Sequence, residues 1–187
     1  MMTDYIAGID YSLTSPSICV YIDDDKEWNY KKCKFFYIVK SEKNVFRNSL
    51  LHGMTYPEYK SDPQRYSNLA SWVNEICNVH SIKQCYIEGY SYNSVGRVFQ
   101  IAENTGVLKH NLWKRDIPYQ VFAPTTIKKF ATGKGNANKE KMYESFYSET
   151  NIDLFKELEI NNPNNWNPVS DIVDAYFIAK FGHQYNT

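Results

Sequence analysis

The sequence predicts an α/β domain on a five-stranded mixed sheet, with three antiparallel strands first, parallel strands after them, and helices flanking the sheet. Residues 5–11, 17–22 and 34–39 are apolar segments separated by polar turns, as in antiparallel strands. Beyond residue 62, short apolar segments alternate with longer helical patterns, which indicates parallel strands joined by crossover helices. We expect residues 1–187 to form a single domain with a substantial core.

The first strand is predicted to be central, because residues 5–11 are almost continuously apolar. Asp10 lies inside this strand, where a buried charge is costly unless a partner or a metal ion compensates it. The segment after the third strand, residues 40–61, shows little periodicity and contains Gly, Pro and Asn, so we expect an irregular surface excursion there.

The second half is predicted to alternate helices and strands. A helix starts with Asp62 as N-cap and Pro63 at its first position. A longer helix covers residues 95–113, and Gly106 in its middle predicts close packing of another element. Other helices are expected at residues 124–130, from an Asn138 cap to residue 150, near residues 154–158, and from Pro168 onward. The two remaining strands are residues 84–88, which end at Glu88, and residues 118–122.

The four cysteines, Cys19, Cys33, Cys77 and Cys85, include no CxxC pair, and two lie in apolar strand-like segments. Reduced buried thiols are therefore expected rather than disulfides or zinc ligands. The sequence has no signal-peptide pattern and no apolar run of about 18 residues. We expect an intracellular, cytoplasmic protein without a membrane partner.

Charge is unevenly distributed, although the formal net charge is zero. Residues 1–93 contain 10 basic and 11 acidic side chains, residues 94–145 contain 9 and 4, and residues 146–187 contain 2 and 6. This asymmetry predicts a basic binding surface beside an acidic pocket.

Four acids occupy positions that indicate metal chemistry. Asp171 and Asp174 are three residues apart at the start of an apolar helix and therefore share one helical face. If the first and fourth strands are neighbours, Asp10 and Glu88 approach each other, and the last helix can bring its two acids to the same point. Carboxylates this close raise one another's pKa, and hard divalent cations such as Mg²⁺ relieve the repulsion. Two such ions would support phosphodiester hydrolysis.

The segments GIDYSLTS at residues 8–15, IEG at 87–89 and DIVDA at 171–175 resemble the RuvC Holliday-junction resolvases of the RNase H-like superfamily. ENTGVL at 103–108, PTTIKK at 124–129 and GKGNANK at 133–139 look particularly like RuvC-like proteins of bacteriophages. The resemblance extends over nearly the whole chain in order. It implies an RNase H-like fold, cleavage of four-way junctions in DNA recombination and repair, a homodimer, and two Mg²⁺ ions that Mn²⁺ can replace.

By this resemblance, Asp10, Glu88, Asp171 and Asp174 are the metal-binding catalytic residues, and Lys139 lies near the scissile phosphate. Either Tyr90 or Tyr92 is the candidate for an aromatic residue that unstacks the junction centre, although either could belong to the core. The remaining candidates for DNA contacts are basic: Arg97, Lys128, Lys129, Lys134 and Lys141. The helix at 95–113 is the candidate dimer interface, and its apolar residues could equally be core.

Three other functions fit parts of the pattern. A debranching nuclease of broader specificity, acting on forks and flaps, would use the same site. A non-catalytic module that binds branched DNA would be expected to have lost at least one of the four acids. An actin-like ATPase shares the phosphate-loop pattern near Asp10, but 187 residues do not accommodate its two domains.

Overall fold

The computed structural model describes residues 4–24, 27–90, 97–161 and 166–185. Its strands are β1 (Asp4–Asp10), β2 (Ser17–Asp23), β3 (Cys33–Val39), β4 (Leu51–Thr55), β5 (Ile82–Glu88) and β6 (Tyr119–Phe122). Its α-helices are α1 (Asp62–Val79), α2 (Val98–Lys114), α3 (Pro124–Thr132), α4 (Lys139–Thr150), α5 (Leu154–Glu157) and α6 (Val169–Tyr185). None of the helices in these ranges is long and apolar enough to cross a membrane.

All six strands form one mixed sheet in the order β4-β3-β2-β1-β5-β6. The first three strands pair antiparallel, as predicted. The pairs β1–β5, β5–β6 and β3–β4 are parallel. The prediction of a mixed sheet flanked by helices is therefore confirmed.

The prediction of five strands was wrong, because residues 40–61 contain the edge strand β4. Its sequence, Leu-His-Gly-Met-Thr, has no strong strand pattern. Its extended conformation is instead stabilised by backbone pairing with β3. A glycine is required at position 53 because the Tyr37 side chain lies over it. A Cβ added there would be 2.6 Å from atoms of Tyr37.

Hydrophobic clusters cover both faces of the sheet. On one face, α6 packs against β1 and β2, together with residues of α3, α4 and α5. On the other face, α1 and α2 pack against each other and cover β1 and β5 with residues such as Leu69, Val73 and Leu108. The four cysteines are buried free thiols, as expected, and the Sγ atoms of Cys77 and Cys85 are 3.9 Å apart.

Two details of the helices differ from prediction. The N-cap of α1 is Ser61 rather than Asp62, since the Ser61 hydroxyl accepts a hydrogen bond from the Gln64 backbone N–H. Gly106 packs against no other described element, because no described atom outside its own helix backbone lies within 4 Å of a Cβ built there. The predicted cap of α4 is confirmed, since the Asn138 side chain accepts a hydrogen bond from the Lys141 N–H. The predicted start of α2 at residue 95 lies outside the described residues.

Candidate active site at the carboxyl edge of the sheet

Asp10 and Glu88 end two neighbouring parallel strands. Ile9 of β1 pairs with Ile87 of β5, so the next residue of each strand reaches the same edge of the sheet. We call this edge, where β1 and β5 end, the carboxyl edge. This adjacency meets the condition under which Asp10 and Glu88 were expected to approach each other.

The helix α6 reaches this point because two small side chains and a glycine permit very close packing. A Cβ added to Gly8 would lie 2.2 Å from the Ala179 backbone nitrogen and 2.6 Å from the Ala175 carbonyl oxygen. Ile172, Ala175 and Ala179 are fully buried. The axis of α6 therefore lies directly on β1, and the first turns of the helix bring Asp171 and Asp174 toward the end of that strand.

Three of the acids line one cleft with a volume of about 480 Å³. We call this cavity the acidic cleft. Asp171 lies behind its wall and is only 8% exposed. The residues that line the cleft are Asp10, Tyr11, Ser12, Leu13, Thr14, Glu88, Gly89, Tyr90, Arg97, Ile101, Thr105, Pro124, Lys128 and Asp174.

Burial raises the pKa of all four acids, and repulsion from neighbouring carboxylates raises those of Asp10, Glu88 and Asp171 further. The pKa of Asp10 is well above its usual value, chiefly through burial and then through the charges of Asp171, Glu88 and Asp174. Burial and Asp174 raise the pKa of Glu88 to about 8. Burial raises the pKa of Asp171 to about 7 and that of Asp174 to about 6. The four carboxylates therefore form one cluster of interacting negative charges.

Two lysines counter this negative charge. Lys139, the first residue of α4, lowers the pKa values of Asp10, Asp171 and Asp174. Lys128 of α3 lowers those of Glu88 and Asp174, and it lines the acidic cleft. The cluster is therefore flanked by cations on the α3–α4 side.

Ser15 and Asn167 join this site, although the sequence pattern did not single them out. A hydrogen bond from Ser15 lowers the pKa of Asp171. The Asn167 amide donates to the Ser15 hydroxyl at 2.9 Å, and its Oδ1 accepts from Ser170 at 3.2 Å. Lys139 Nζ also donates to this Oδ1, at 3.4 Å. Asn167 therefore connects the loop after β1, the start of α6 and Lys139.

The other predicted DNA-contact residues have varied positions. Arg97 and Tyr90 line the acidic cleft, and Tyr90 is 37% exposed. Lys129 on α3 and Lys134 in the following turn are exposed, outside the cleft. Lys141 is exposed and forms an ion pair with Glu144 at 2.7 Å. Tyr92 lies outside the described residues.

The chemistry of the donors fits a hard divalent cation, since all four are carboxylates. Among the residues that the structure describes, the buried Oδ2 of Asp171 has no hydrogen-bond partner, which leaves an acceptor for a ligand. Within residues 4–24, 27–90, 97–161 and 166–185, however, no three His, Cys, Asp or Glu side chains are grouped closely enough to enclose an ion.

The fold and the position of the acids define a class of protein, the RNase H-like domains with acidic residues at the carboxyl edge of a mixed sheet. Solved structures agree with this class. Over 98% of this chain and 94% of the other, the structure superimposes on Thermus thermophilus RuvC in complex with Holliday junction substrate, with a TM-score of 0.64 and 16% identity. It also superimposes on the yeast mitochondrial Holliday junction resolvase, over 98% and 79% of the two chains, with a TM-score of 0.54 and 16% identity.

The chain belongs to the family of crossover junction endodeoxyribonuclease RuvC, whose model matches residues 32–150. A curated member from Synechococcus sp. (strain CC9311) is 26% identical over 94 residues, which cover 50% of this chain and 59% of the relative. The family match includes Glu88 and Lys139. Asp10, Asp171 and Asp174 lie outside it.

Proposed function

We propose that this protein is a metal-dependent, structure-selective DNA endonuclease that cleaves Holliday junctions. The observation that carries the proposal is the convergence of four carboxylates from β1, β5 and α6 at the carboxyl edge. Two lysines flank these acids, as expected for a site that receives a phosphate. Membership of the RuvC family supports the reaction type, and the related T. thermophilus protein has been determined with a Holliday junction substrate.

In this proposal, Asp10, Glu88, Asp171 and Asp174 hold two Mg²⁺ ions, which Mn²⁺ can replace. Bound ions of this kind activate a water molecule and stabilise the leaving oxygen of a phosphodiester. The donors need to be ionised to bind, and their raised pKa values mean that protons compete with the cations below about pH 8.

The lysines have separate roles in the proposed site. Lys139 faces the negative cluster and is held by Asn167, so its ammonium group would contact the scissile phosphate. Lys128 lines the cleft beside Glu88 and Asp174, where it would contact a neighbouring phosphate. Both charges offset the repulsion between the anionic substrate and the acids.

Further DNA contacts are proposed around the cleft. Arg97 would bind phosphate from the cleft wall, and Tyr90 would stack on an unpaired base near the junction centre. Lys129, Lys134 and Lys141 would contact the backbone of an arm outside the cleft, and Tyr92 remains a second aromatic candidate. Because these are mostly phosphate contacts, affinity should fall steeply with salt.

We also propose a homodimer that pairs through α2. This helix leaves Phe99 83% exposed and Trp113 69% exposed, and large aromatic side chains are enriched at protein–protein interfaces. Two sites related by a two-fold axis would cut two strands of a junction symmetrically. Trp113→Glu should convert a dimer to a monomer in sedimentation, and Tyr147→Glu, at a residue 46% exposed on α4, is a control with the same charge change on the other face of the sheet. A wild-type monomer would contradict this proposal.

The decisive test is cleavage of a labelled four-way junction in Mg²⁺ or Mn²⁺. We expect cleavage by the wild type and a loss of about 1,000-fold or more for Asp10→Asn or Asp174→Asn, because a metal ligand is removed. Binding to the junction should remain. Absence of cleavage of any branched DNA with either metal would contradict an enzymatic function and favour a DNA-binding module.

A substrate panel separates the two nuclease functions. A resolvase should cut the four-way junction at least about 10-fold faster than Y-forks or flaps of the same sequence. Equal rates on all three would identify a debranching nuclease of broader specificity.

A further inference from the structure

A second surface lies at the carboxyl edge, on the other side of the acidic cleft from α3 and α4. Because β1 and β2 are antiparallel and β2 and β3 are antiparallel, β3 runs in the same direction as β1. The strand β4 is parallel to β3. The segments that follow β3 and β4 therefore emerge at the same edge as Asp10, and the helix α1 begins there.

These segments form a groove of about 520 Å³. We call it the basic groove. It contains three cations and one acid, in contrast to the acidic cleft. Lys40 and Lys60 are exposed, and neither forms an ion pair with any residue that the structure describes. The lining residues are Lys40, Tyr56, Pro57, Glu58, Tyr59, Lys60, Gln64 and Arg65.

The floor of the basic groove is bonded to the wall of the acidic cleft. Arg65 Nη2 donates to the Leu13 carbonyl oxygen at 2.6 Å, and the Tyr56 hydroxyl donates to the same oxygen at 2.9 Å. Leu13 lines the acidic cleft, three residues after Asp10. The groove and the cleft therefore lie side by side, with the Leu13 segment between them.

Two tyrosine rings hold the Arg65 side chain between the groove and the cleft. The Arg65 guanidinium lies 5.4 Å from the centre of the Tyr56 ring and 5.0 Å from that of Tyr59. Its Nε also donates to the Tyr56 hydroxyl at 3.0 Å. Arg65 is thus committed to the protein, whereas Lys40 and Lys60 extend into solvent beside the partly exposed Tyr59. Free cations beside an exposed ring are typical of surfaces that bind a nucleic-acid backbone.

We propose that the basic groove binds the phosphate backbone of a DNA arm as it leaves the acidic cleft, with Lys40 and Lys60 as the phosphate contacts. This inference deepens the function proposed above and rests on it. The bound arm would lie along the carboxyl edge, from Lys128 and Lys139 on one side of the acids to β4 on the other. In this proposal the strand β4, which was not predicted from the sequence, lengthens the carboxyl edge on which the DNA arm lies.

The test compares the salt dependence of junction binding in two double variants. K40Q/K60Q removes both charges and keeps most of each side chain. The matched control K31Q/K83Q removes two exposed lysines at the opposite edge, where β3 and β5 begin. Binding of a fluorescent four-way junction is measured without divalent cations between about 50 and 200 mM salt, the range where phosphate contacts dominate.

We expect K40Q/K60Q to bind about 10- to 30-fold more weakly near 150 mM salt, with a log–log salt slope reduced by about 2. The control should keep the wild-type slope. A wild-type slope for K40Q/K60Q would overturn the inference, as would an equal loss in both double variants. Because this assay needs no cleavage, a failure of the proposed nuclease activity would leave its result interpretable and would be seen separately in the cleavage assay.

Discussion

Two helices of 17 residues near the carboxyl edge, α6 and α2, differ in how much of their surface is exposed to solvent. Along α6, twelve residues are buried, including polar Ser170, Asp171 and His183. Along α2, four residues are buried, and Phe99 and Trp113 are left largely exposed. Each helix contributes to the acidic cleft, but only α6 is enclosed by its own chain.

This difference separates two uses of a helix. Enclosure fixes the backbone of α6 and thereby directs Asp171 and Asp174 toward the end of β1, and the hydrogen bond from Ser15 restrains Asp171 further. The helix α2 supplies one wall of the cleft through Ile101 and Thr105 and keeps its outer face available. Substitutions on α6 should therefore disrupt the acidic cleft, whereas substitutions on the outer face of α2 should affect dimer formation.

The largest effect is expected at the contact between α6 and β1. Gly8→Ala places a methyl group within 2.2 Å of the α6 backbone, which cannot move aside as a flexible side chain can. We expect the free energy of unfolding to fall by about 3 kcal/mol or more, together with loss of cleavage. Denaturant unfolding measures the change. A loss under about 1 kcal/mol would show that α6 is not fixed by this packing.

The folding stability of the protein should depend on pH and on bound metal through the acids of the acidic cleft. The pKa values of Glu88, Asp171 and Asp174 rise from about 4 to about 8, 7 and 6 on folding, so the folded state binds more protons across this range. The stability of the metal-free protein should therefore fall as pH rises from about 4 to 8.

Mn²⁺ should reverse this loss, because it compensates the ionised carboxylates. Thermal unfolding with and without Mn²⁺ should show a larger stabilisation at pH 8 than at pH 5.5. In Asp10→Asn, which removes one repelling acid, the metal-free protein should be more stable at pH 8 than the wild type. Equal stabilisation by Mn²⁺ at both values of pH would contradict the account.

A smaller effect is expected at the start of α6, where Asn167 holds Lys139. Asn167→Ala should lower the cleavage rate constant about 10-fold, or about 1.4 kcal/mol, because the lysine loses its orientation. Junction binding should change little. Asn167→Asp, which keeps an acceptor for Lys139 but loses the donor to Ser15, separates the two contacts. A reduction in affinity alone would argue for a role in binding.

The smallest effect is expected on the outer face of α2. Gly106→Ala meets nothing within 4 Å and replaces a glycine inside a helix, so it should stabilise the isolated chain by about 0.5–1 kcal/mol. The same substitution should weaken a dimer that packs α2 closely at this position. Sedimentation at several concentrations, beside denaturant unfolding, distinguishes the two effects.

The sequence predicted the centre of this fold better than its edge. The strand β1 and the helix α6 are continuous apolar segments, so their pairing and burial follow from patterns that local chemistry makes visible. The strand β4 has a mixed composition with a glycine, and its order comes from pairing with β3, which no local pattern encodes. The exposed position of Gly106 likewise depends on which elements lie nearby in space.

The candidate site shows the same limit. Four acids were predictable because a carboxylate inside an apolar strand or helix contradicts its surroundings. Ser15, Asn167 and Arg65 are not conspicuous in the sequence, since each lies in a polar segment or on an amphipathic helix. Their importance comes from hydrogen bonds to residues far away in the chain, such as the contact from Arg65 to Leu13, and only the fold brings these together.

The central claim is that the acids of α6, β1 and β5 hold divalent cations at the carboxyl edge. Anomalous scattering from crystals of the full chain grown with Mn²⁺ tests it most directly. The account predicts Mn²⁺ peaks within about 2.3 Å of carboxylate oxygens of Asp10 and Asp174, with Glu88 and Asp171 completing the donors. Peaks elsewhere, or none at this edge at pH 8, would contradict it.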